Sequence, residues 1–483
     1  MTCDSAQRDR ACGALLGTAA GDALGAGYEF DPPFDGPVAM IGGGLGDFDP
    51  GEWTDDTSMA IAIAEQAATG ADLRDQAVQD RIVTRWYDWS RTAADVGVQT
   101  RSVLSAAGRA RISAAAARAE SAALHQRTGR TAGNGSLMRT APLALAYLHD
   151  ETALVAAARV ISELTHFDPE AGDACVLWCA AIRHAVLTGK LDARIGLRHI
   201  DARRRDLWVS RLDEAEAAQR SSFAHNNGWV VAALQGAWSA IVHTAEPVDD
   251  PAGGVFAADR LRLALEAAVR GGGDTDTVAA IAGGLLGAAY GASAVPSGWR
   301  RMLHGWPGMN TRGLIRLATN TFHGGEPEVV TYPEGEFPGA GTIVPHPHDD
   351  GLFIGGVNAV PKLPENIGAI VSMCRVPDDY LPAGVEQLDV RLIDREGQNP
   401  HLDFVLLDTA RAVEVLRAEG RTVFLHCVQA HSRTPTLAAL YGARRRGIGI
   451  EAALRDVSAV LSGAHPIGDF RAALRRLCPG GAA

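Results

Sequence analysis

The sequence has no long run of lysine or arginine, and its 45 basic residues are outnumbered by 57 acidic ones, for a formal net charge of −12. That balance works against attraction to a nucleic-acid backbone or an anionic membrane surface, so neither is expected as a partner. No apolar stretch reaches the ~18 residues that a membrane span requires. Met1 to Leu16 lacks the basic patch, apolar core and small-residue cleavage site of a secretory signal. Cysteine is scarce: seven residues scattered from Cys3 to Cys478, an odd number without the spacing of a disulfide framework. Together these absences predict a cytoplasmic protein. Alternating β-branched runs are nearly missing before Tyr290, which argues against a strand-built first half, and no repeat of fixed period occurs.

What is present suffices to fold. The chain is 47% hydrophobic and 21% charged, an ordinary globular composition. Its 483 residues exceed the ~250–300 that one core usually organises, which predicts two domains. From Cys12 to about Tyr290 apolar residues recur with helical spacing, as in Met59-Ala60-Ile61-Ala62-Ile63, with abundant alanine between them. A last helical stretch near Leu314 to Asn320 precedes an aperiodic Gly/Pro/Glu-rich segment, Gly324 to Gly341. Beyond it, short apolar runs (Leu352–Ile354, Ala369–Val371, Val423–Leu425) alternate with helical segments such as Leu402 to Ala418, the pattern of an α/β layer domain. The expected organisation is an all-α domain over 1–323, a linker over 324–341 and an α/β domain over 342–483.

Two acidic motifs dominate the first domain: Thr54-Asp55-Asp56-Thr57 and Asp274-Thr275-Asp276-Thr277. Each gathers several hard oxygen donors within four residues, the set that Mg²⁺ or Ca²⁺ prefers. Each also suits a helix N-cap, because Thr and Asp accept hydrogen bonds from free N–H groups. Three further segments accompany them: Gly21-Asp22-Ala23-Leu24-Gly25 leading to Tyr28-Glu29, then Gly133-Asn134-Gly135-Ser136-Leu137-Met138-Arg139, then Thr165-His166.

In this order the five motifs resemble the ADP-ribosylglycohydrolase family, relatives of the dinitrogenase-reductase-activating glycohydrolase, over about Cys12 to Trp306. The resemblance implies an all-α fold with two Mg²⁺ ions in a cleft, held by Thr54, Asp55 and Asp56 from one side and by Asp274, Asp276 and Thr277 from the other. It implies that Glu29, after the Gly-Asp-Ala-Leu-Gly turn, lies near the metals and the scissile bond, and that Gly133, Asn134, Gly135 and Ser136 line an ADP-ribose site. His166 would approach the adenosine or ribose part. The residue types suit that chemistry: cleavage at an anomeric carbon needs an activated water or leaving group, which metals and a carboxylate can supply. Arg139 would pair either a phosphate or one of the clustered acids. Cys175 and Cys179, spaced i, i+4 beside Trp178, read as core rather than zinc ligands.

The segment Val423-Phe424-Leu425-His426-Cys427-Val428-Gln429-Ala430-His431-Ser432-Arg433-Thr434-Pro435 reads as strand, tight loop and helix start. Such a loop aims N–H groups at an anion and stabilises a thiolate. It resembles the phosphate-binding loop of the protein tyrosine and dual-specificity phosphatases, weakly over about Thr342 to Leu477. The resemblance implies Cys427 as nucleophile, Arg433 as phosphate ligand, Thr434 as the hydroxyl that assists thiophosphate breakdown, and Asp394 as general acid. Ala430 stands where that family usually has glycine; if the position needs positive φ, alanine there is strained by roughly 1 kcal/mol or more.

The expectation is therefore a Mg²⁺-dependent hydrolase that removes ADP-ribose from a protein or small molecule, fused to a phosphatase-like domain acting on a phosphorylated substrate. The alternative is a cysteine-dependent phosphatase targeted by a helical domain that binds ADP-ribose without cleaving it.

Overall fold

Glycine recurs every fourth residue along the first helix, α1 (Ser5–Gly25), at Gly13, Gly17, Gly21 and Gly25, a spacing that aligns all four on one face. That face packs backbone to backbone on the helix Thr275–Tyr290. A Cβ at Gly17 would stand 2.2 Å from the Gly283 carbonyl oxygen, and one at Gly21 would stand 2.0 Å from that of Ala279. Only glycine permits this approach, and it brings the C-terminal end of α1 beside the N-terminal end of its partner. The Gly21–Gly25 segment, expected as a turn, is thus the last helical turn of α1, followed by a 3₁₀ turn over Ala26–Tyr28.

The computed structural model describes residues 5–109 and 111–479; Cys3 lies outside them. The chain divides into two units: one comprising Met1–Ala245, Arg260–Val295 and Met302–Pro327, the other Glu246–Asp259, Pro296–Arg301 and Glu328–Ala483. The contiguous expectation of 1–323 and 342–483 therefore differs from the observed division, because two segments from within the first 323 residues are grouped with the second unit.

The first unit is built from α1 and the helices α2 (Asp55–Ala67), α3 (Gln76–Ser90), α4 (Val98–Ala107), α5 (Ala114–Thr128), α6 (Ala141–Ala146) and α7 (Glu151–Glu163). It continues through α8 (Pro169–Thr188), α9 (Ala202–Ala217), α10 (Val230–Val242), α11 (Asp259–Arg270), α12 (Thr275–Tyr290) and, after α13 (Ser297–Met302), α14 (Thr311–Phe322). A two-residue antiparallel pair, β1 (His304–Gly305) and β2 (Met309–Asn310), interrupts the helical pattern. Cys175 and Cys179 are buried in α8.

The second unit holds β3 (Ile343–His346), β4 (Asp349–Gly356), β5 (Ile367–Ser372), β6 (Glu386–Asp389) and β7 (Thr422–Cys427) in the order β3-β4-β7-β5-β6. Only β3 runs antiparallel to its neighbour. Helices α15 (Leu402–Ala418), α16 (Arg433–Arg446), α17 (Ile450–Val460) and α18 (Gly468–Leu477) complete it, giving the mixed α/β layer expected of such a pattern. Phe404, Leu407, Val413 and Leu416 of α15 are all buried. The inserted segments are wired into this unit: Phe256 meets Phe404 edge-on at 5.8 Å, Asp408 accepts from the Ser297 N–H at 2.8 Å, and buried Arg300 donates to the Asp389 carbonyl at 2.8 Å. Among the described residues no helix is long and apolar enough to cross a membrane, and the described cysteines are all free.

Candidate active site

The close approach of α1 and α12 places three helix ends together. Thr54 is the N-cap of α2 and Asp274 that of α12, yet neither side chain caps its own helix. The cap of α2 comes instead from α1: Asp22 accepts from the N–H groups of Thr54 and Thr57, both at 2.9 Å, and from the Thr57 hydroxyl at 2.6 Å. The motif acids are thereby released from capping. Thr54 Oγ1 shares its one proton between Asp56 at 3.1 Å and Asp276 at 3.3 Å, so the two motifs, 222 positions apart, are joined.

The ligand-type oxygens of Asp22, Asp56 and Asp276, and separately those of Glu29, Asp274 and Asp276, lie within 4.8 Å of one another. Asp55 completes the cluster and accepts from the Gly97 N–H at 3.1 Å. Burial, then mutual repulsion, pushes Asp55, Asp56 and Asp276 well above the usual carboxylate range. Burial raises Asp22 to about 6, and burial together with Asp274 and Asp95 raises Glu29 to about 8. Among the described residues Asp56 Oδ1 is buried without a hydrogen-bond partner. Crowded, buried carboxylates with an orphaned oxygen and, among the described residues, no ion-pair partner suit a divalent cation, which would offset the repulsion and give the orphaned oxygen a partner.

The other expected residues are adjacent. Gly133–Ser136 forms a short turn in which Asn134 donates to Asp274 at 2.8 Å and to the Asn227 carbonyl at 2.9 Å, while Asn227 Oδ1 accepts from the Asp274 N–H at 2.9 Å. Ser136 is buried beside Cys175, whose thiol approaches its Oγ at 3.6 Å. His166 lies edge-on to the turn: a Cβ on Gly133 would stand 3.2 Å from its Nε2, and one on Gly135 would stand 3.1 Å from its Cε1. The glycines there make room for an imidazole as well as for any ligand. Arg139 does not pair with the clustered acids among the described residues. It is buried over the Trp86 ring at 4.0 Å and donates to Thr165 Oγ1 at 2.8 Å, without a carboxylate partner among the described residues.

Sequence reasoning missed Asp22 as a member of the cluster, although it stands in the quoted motif, and Asp95, which no motif marks. It also missed a cavity of about 690 Å³ beside Asp55, lined by Trp53, Trp89 and Trp306 with Glu52, Asp95 and His304. Residues from three distant segments form it.

In the second unit Cys427 ends β7 and is buried, and Arg433 opens α16. Arg433 Nη1 donates to the carbonyls of Met373 at 2.8 Å and Leu392 at 2.9 Å, and its Nε lies 3.6 Å from Asp394. Thr434 is buried and donates to the Gly355 carbonyl at 3.2 Å. Ala430 has φ of 59°, the left-handed region that costs a residue with a Cβ about 1 kcal/mol or more.

The helical unit thus carries at its helix ends a buried carboxylate cluster that could hold a metal ion. The family model for ADP-ribosylglycohydrolase matches residues 4–327. ADP-ribosylarginine hydrolase Tri1 of Pseudomonas putida (strain GB-1) is 32% identical over 60% of this chain and 73% of its own length. ADP-ribosyl-[dinitrogen reductase] glycohydrolase of Rhodospirillum rubrum is 31% identical over 60% of this chain and 89% of its own. The chain belongs to the ADP-ribosylglycohydrolase family. A structure of human DUSP28 covers 30% of this chain and 97% of its own at 23% identity, with a TM-score of 0.26.

Proposed function

We propose that the helical unit hydrolyses the bond between the anomeric carbon of ADP-ribose and an acceptor, and that the acceptor is the guanidinium of arginine. The observation that carries this is the convergence of Asp22, Glu29, Asp55, Asp56, Asp274 and Asp276 at the ends of α1, α2 and α12. Two Mg²⁺ ions held by Thr54, Asp55 and Asp56 and by Asp274, Asp276 and Thr277 would supply Lewis acidity toward the ribose hydroxyls and the attacking water. Glu29 moves the proton. Asp22 fixes the first turn of α2, and Asn134 ties Asp274 to the Gly133–Ser136 turn, which holds the pyrophosphate. The arginine acceptor is carried over from the name of the Pseudomonas putida relative. It is supported by the cavity beside Asp55, where the carboxylates of Glu52 and Asp95 and the rings of Trp53 and Trp89 suit a flat cation.

The test is release of ADP-ribose from peptides modified at arginine or at serine, with Mg²⁺ or excess chelator. Mg²⁺-dependent release from arginine is expected. Release in chelator would overturn the metal assignment, and release from serine alone would overturn the acceptor.

A second activity rests on the strand–loop–helix position of Cys427 and Arg433. We propose that the α/β unit binds a phosphorylated substrate there, with Cys427 as nucleophile, Arg433 as phosphate ligand, Asp394 as general acid and Thr434 assisting thiophosphate breakdown.

A further inference from the structure

We propose that Arg139 and Thr165 act as positioning residues that lock His166 as a neutral imidazole protonated on Nε2, so that it meets the bound ligand as a hydrogen-bond donor. The inference rests on the ADP-ribose site described above and adds how its imidazole is set.

The argument is one of proton counting. A guanidinium has donors and no acceptor, so Thr165 Oγ1 must accept the 2.8 Å bond from Arg139 Nη2. The hydroxyl keeps one proton to give. Thr165 is 0% exposed, and the remaining neighbour of its oxygen among the described residues is His166 Nδ1 at 2.8 Å. If Nδ1 carried a hydrogen, the threonine proton would be buried without an acceptor, which is costly. Nδ1 therefore holds the lone pair and Nε2 the proton.

Among the described residues that proton has no acceptor. His166 is 2% exposed, and its Nε2 has no hydrogen-bond partner among the described residues, while its edge faces Gly133 and Gly135. An Nε2 donor on a residue so little exposed, aimed at a glycine turn, is placed to meet an acceptor atom from outside: a phosphate, hydroxyl or ring-nitrogen acceptor of the nucleotide. Burial, reinforced by the Arg139 charge, holds the His166 pKa well below its ordinary value, so the imidazole is not a cation that would bind any anion indiscriminately. Arg139 itself is fixed over Trp86 and by the Ile161 carbonyl, which makes the chain from Arg139 through Thr165 to His166 rigid.

The experiment uses the full chain. Long-range ¹⁵N correlation of the imidazoles, with His166 assigned by its loss in His166→Asn, should show Nε2–H and an unprotonated Nδ1. Thr165→Val should release that preference and weaken ADP-ribose binding, measured by calorimetry, by about tenfold. Thr165→Ser should restore both. A wild-type His166 protonated on Nδ1, or Thr165→Val binding ADP-ribose as tightly as wild type, would overturn the proposal. The wild-type spectrum decides the tautomer even if the valine variant does not fold. Failure of the wild-type chain to bind ADP-ribose would overturn the functional reading instead, leaving the tautomer to the spectrum.

Discussion

Gly25 lies so close to Asp276 that a Cβ there would stand 2.5 Å from both the Asp276 nitrogen and its Cα. The acidic site thus depends on a missing methyl group. Gly25→Ala should push the start of α12 away, costing about 1–3 kcal/mol by overpacking and separating Asp276 from the α2 acids. Gly13→Ala is the comparison, since its Cβ would stand 2.2 Å from the Gly287 carbonyl, three helical turns from the site. Both variants should lower the melting temperature. At a temperature where both are folded, only Gly25→Ala should lose ADP-ribose release. Equal activities would mean that the helix contact does not set the site.

Glu29 and Asp55 should fail in different ways. Glu29→Gln keeps the shape but removes basicity, so kcat should fall by about 10²–10⁴ with ADP-ribose affinity little changed. Asp55→Ala removes a proposed metal ligand. It should abolish turnover and also shrink the rise in melting temperature on adding Mg²⁺, since a ligand that binds only the folded chain stabilises it. A wild-type kcat for Glu29→Gln would remove that residue from the reaction.

Much of this was legible because it is local. Helical spacing marked α15, and Thr54–Thr57 and Asp274–Thr277 stood out as dense oxygen donors within four residues. What escaped depends on partners far away in sequence. Gly21 and Gly25 read as a turn because their reason for being glycine is α12, some 250 positions on. Asp22 could not be seen as the cap of α2 without knowing that α1 ends there. Arg139 looked like an anion ligand because arginines rarely sit buried on a tryptophan without a carboxylate. Residues 246–259 and 296–301 lie between helices of the first unit, and only contacts such as Phe256–Phe404 and Ser297–Asp408 assign them to the second.

Asp349 predicts how the second unit responds to acid. Burial pushes its pKa up, but Arg417, both of whose bonds are 3.0 Å, and Tyr441 outweigh that and hold it at about 2. Because the folded value is below the unfolded one of about 3.9, the stabilisation is complete above pH ~4 and is lost as the pH falls through ~2. Asp349→Asn should therefore cost about 1–3 kcal/mol at pH 7, from the Arg417 and Tyr441 donors left without their carboxylate, and progressively less as acid protonates the wild-type carboxyl. Denaturant melts of the full chain from pH 7 to pH 2 check this. A difference between wild type and variant that stays constant over that range would show that the pair does not titrate as stated.

Ala430 offers a test of the Cys427 loop. Its φ of 59° places a Cβ in the left-handed region, where glycine is free of the roughly 1 kcal/mol penalty. Its burial beside the loop means that the strain is borne by the residues that must cradle an anion. Ala430→Gly should leave the helical unit's ADP-ribose release unchanged and stabilise the second unit by up to about 1 kcal/mol, less the extra chain entropy of glycine. Hydrolysis of an aryl phosphate, run in chelator because a thiolate nucleophile needs no metal, should be equal or faster in this variant and absent in Cys427→Ser. Asp394→Asn should slow it mainly for poor leaving groups, as expected of a general acid. Phosphate release that survives Cys427→Ser would remove the cysteine from the reaction. No release from wild type or Ala430→Gly, with phosphate still protecting the second unit from heat, would leave an anion-binding loop without turnover.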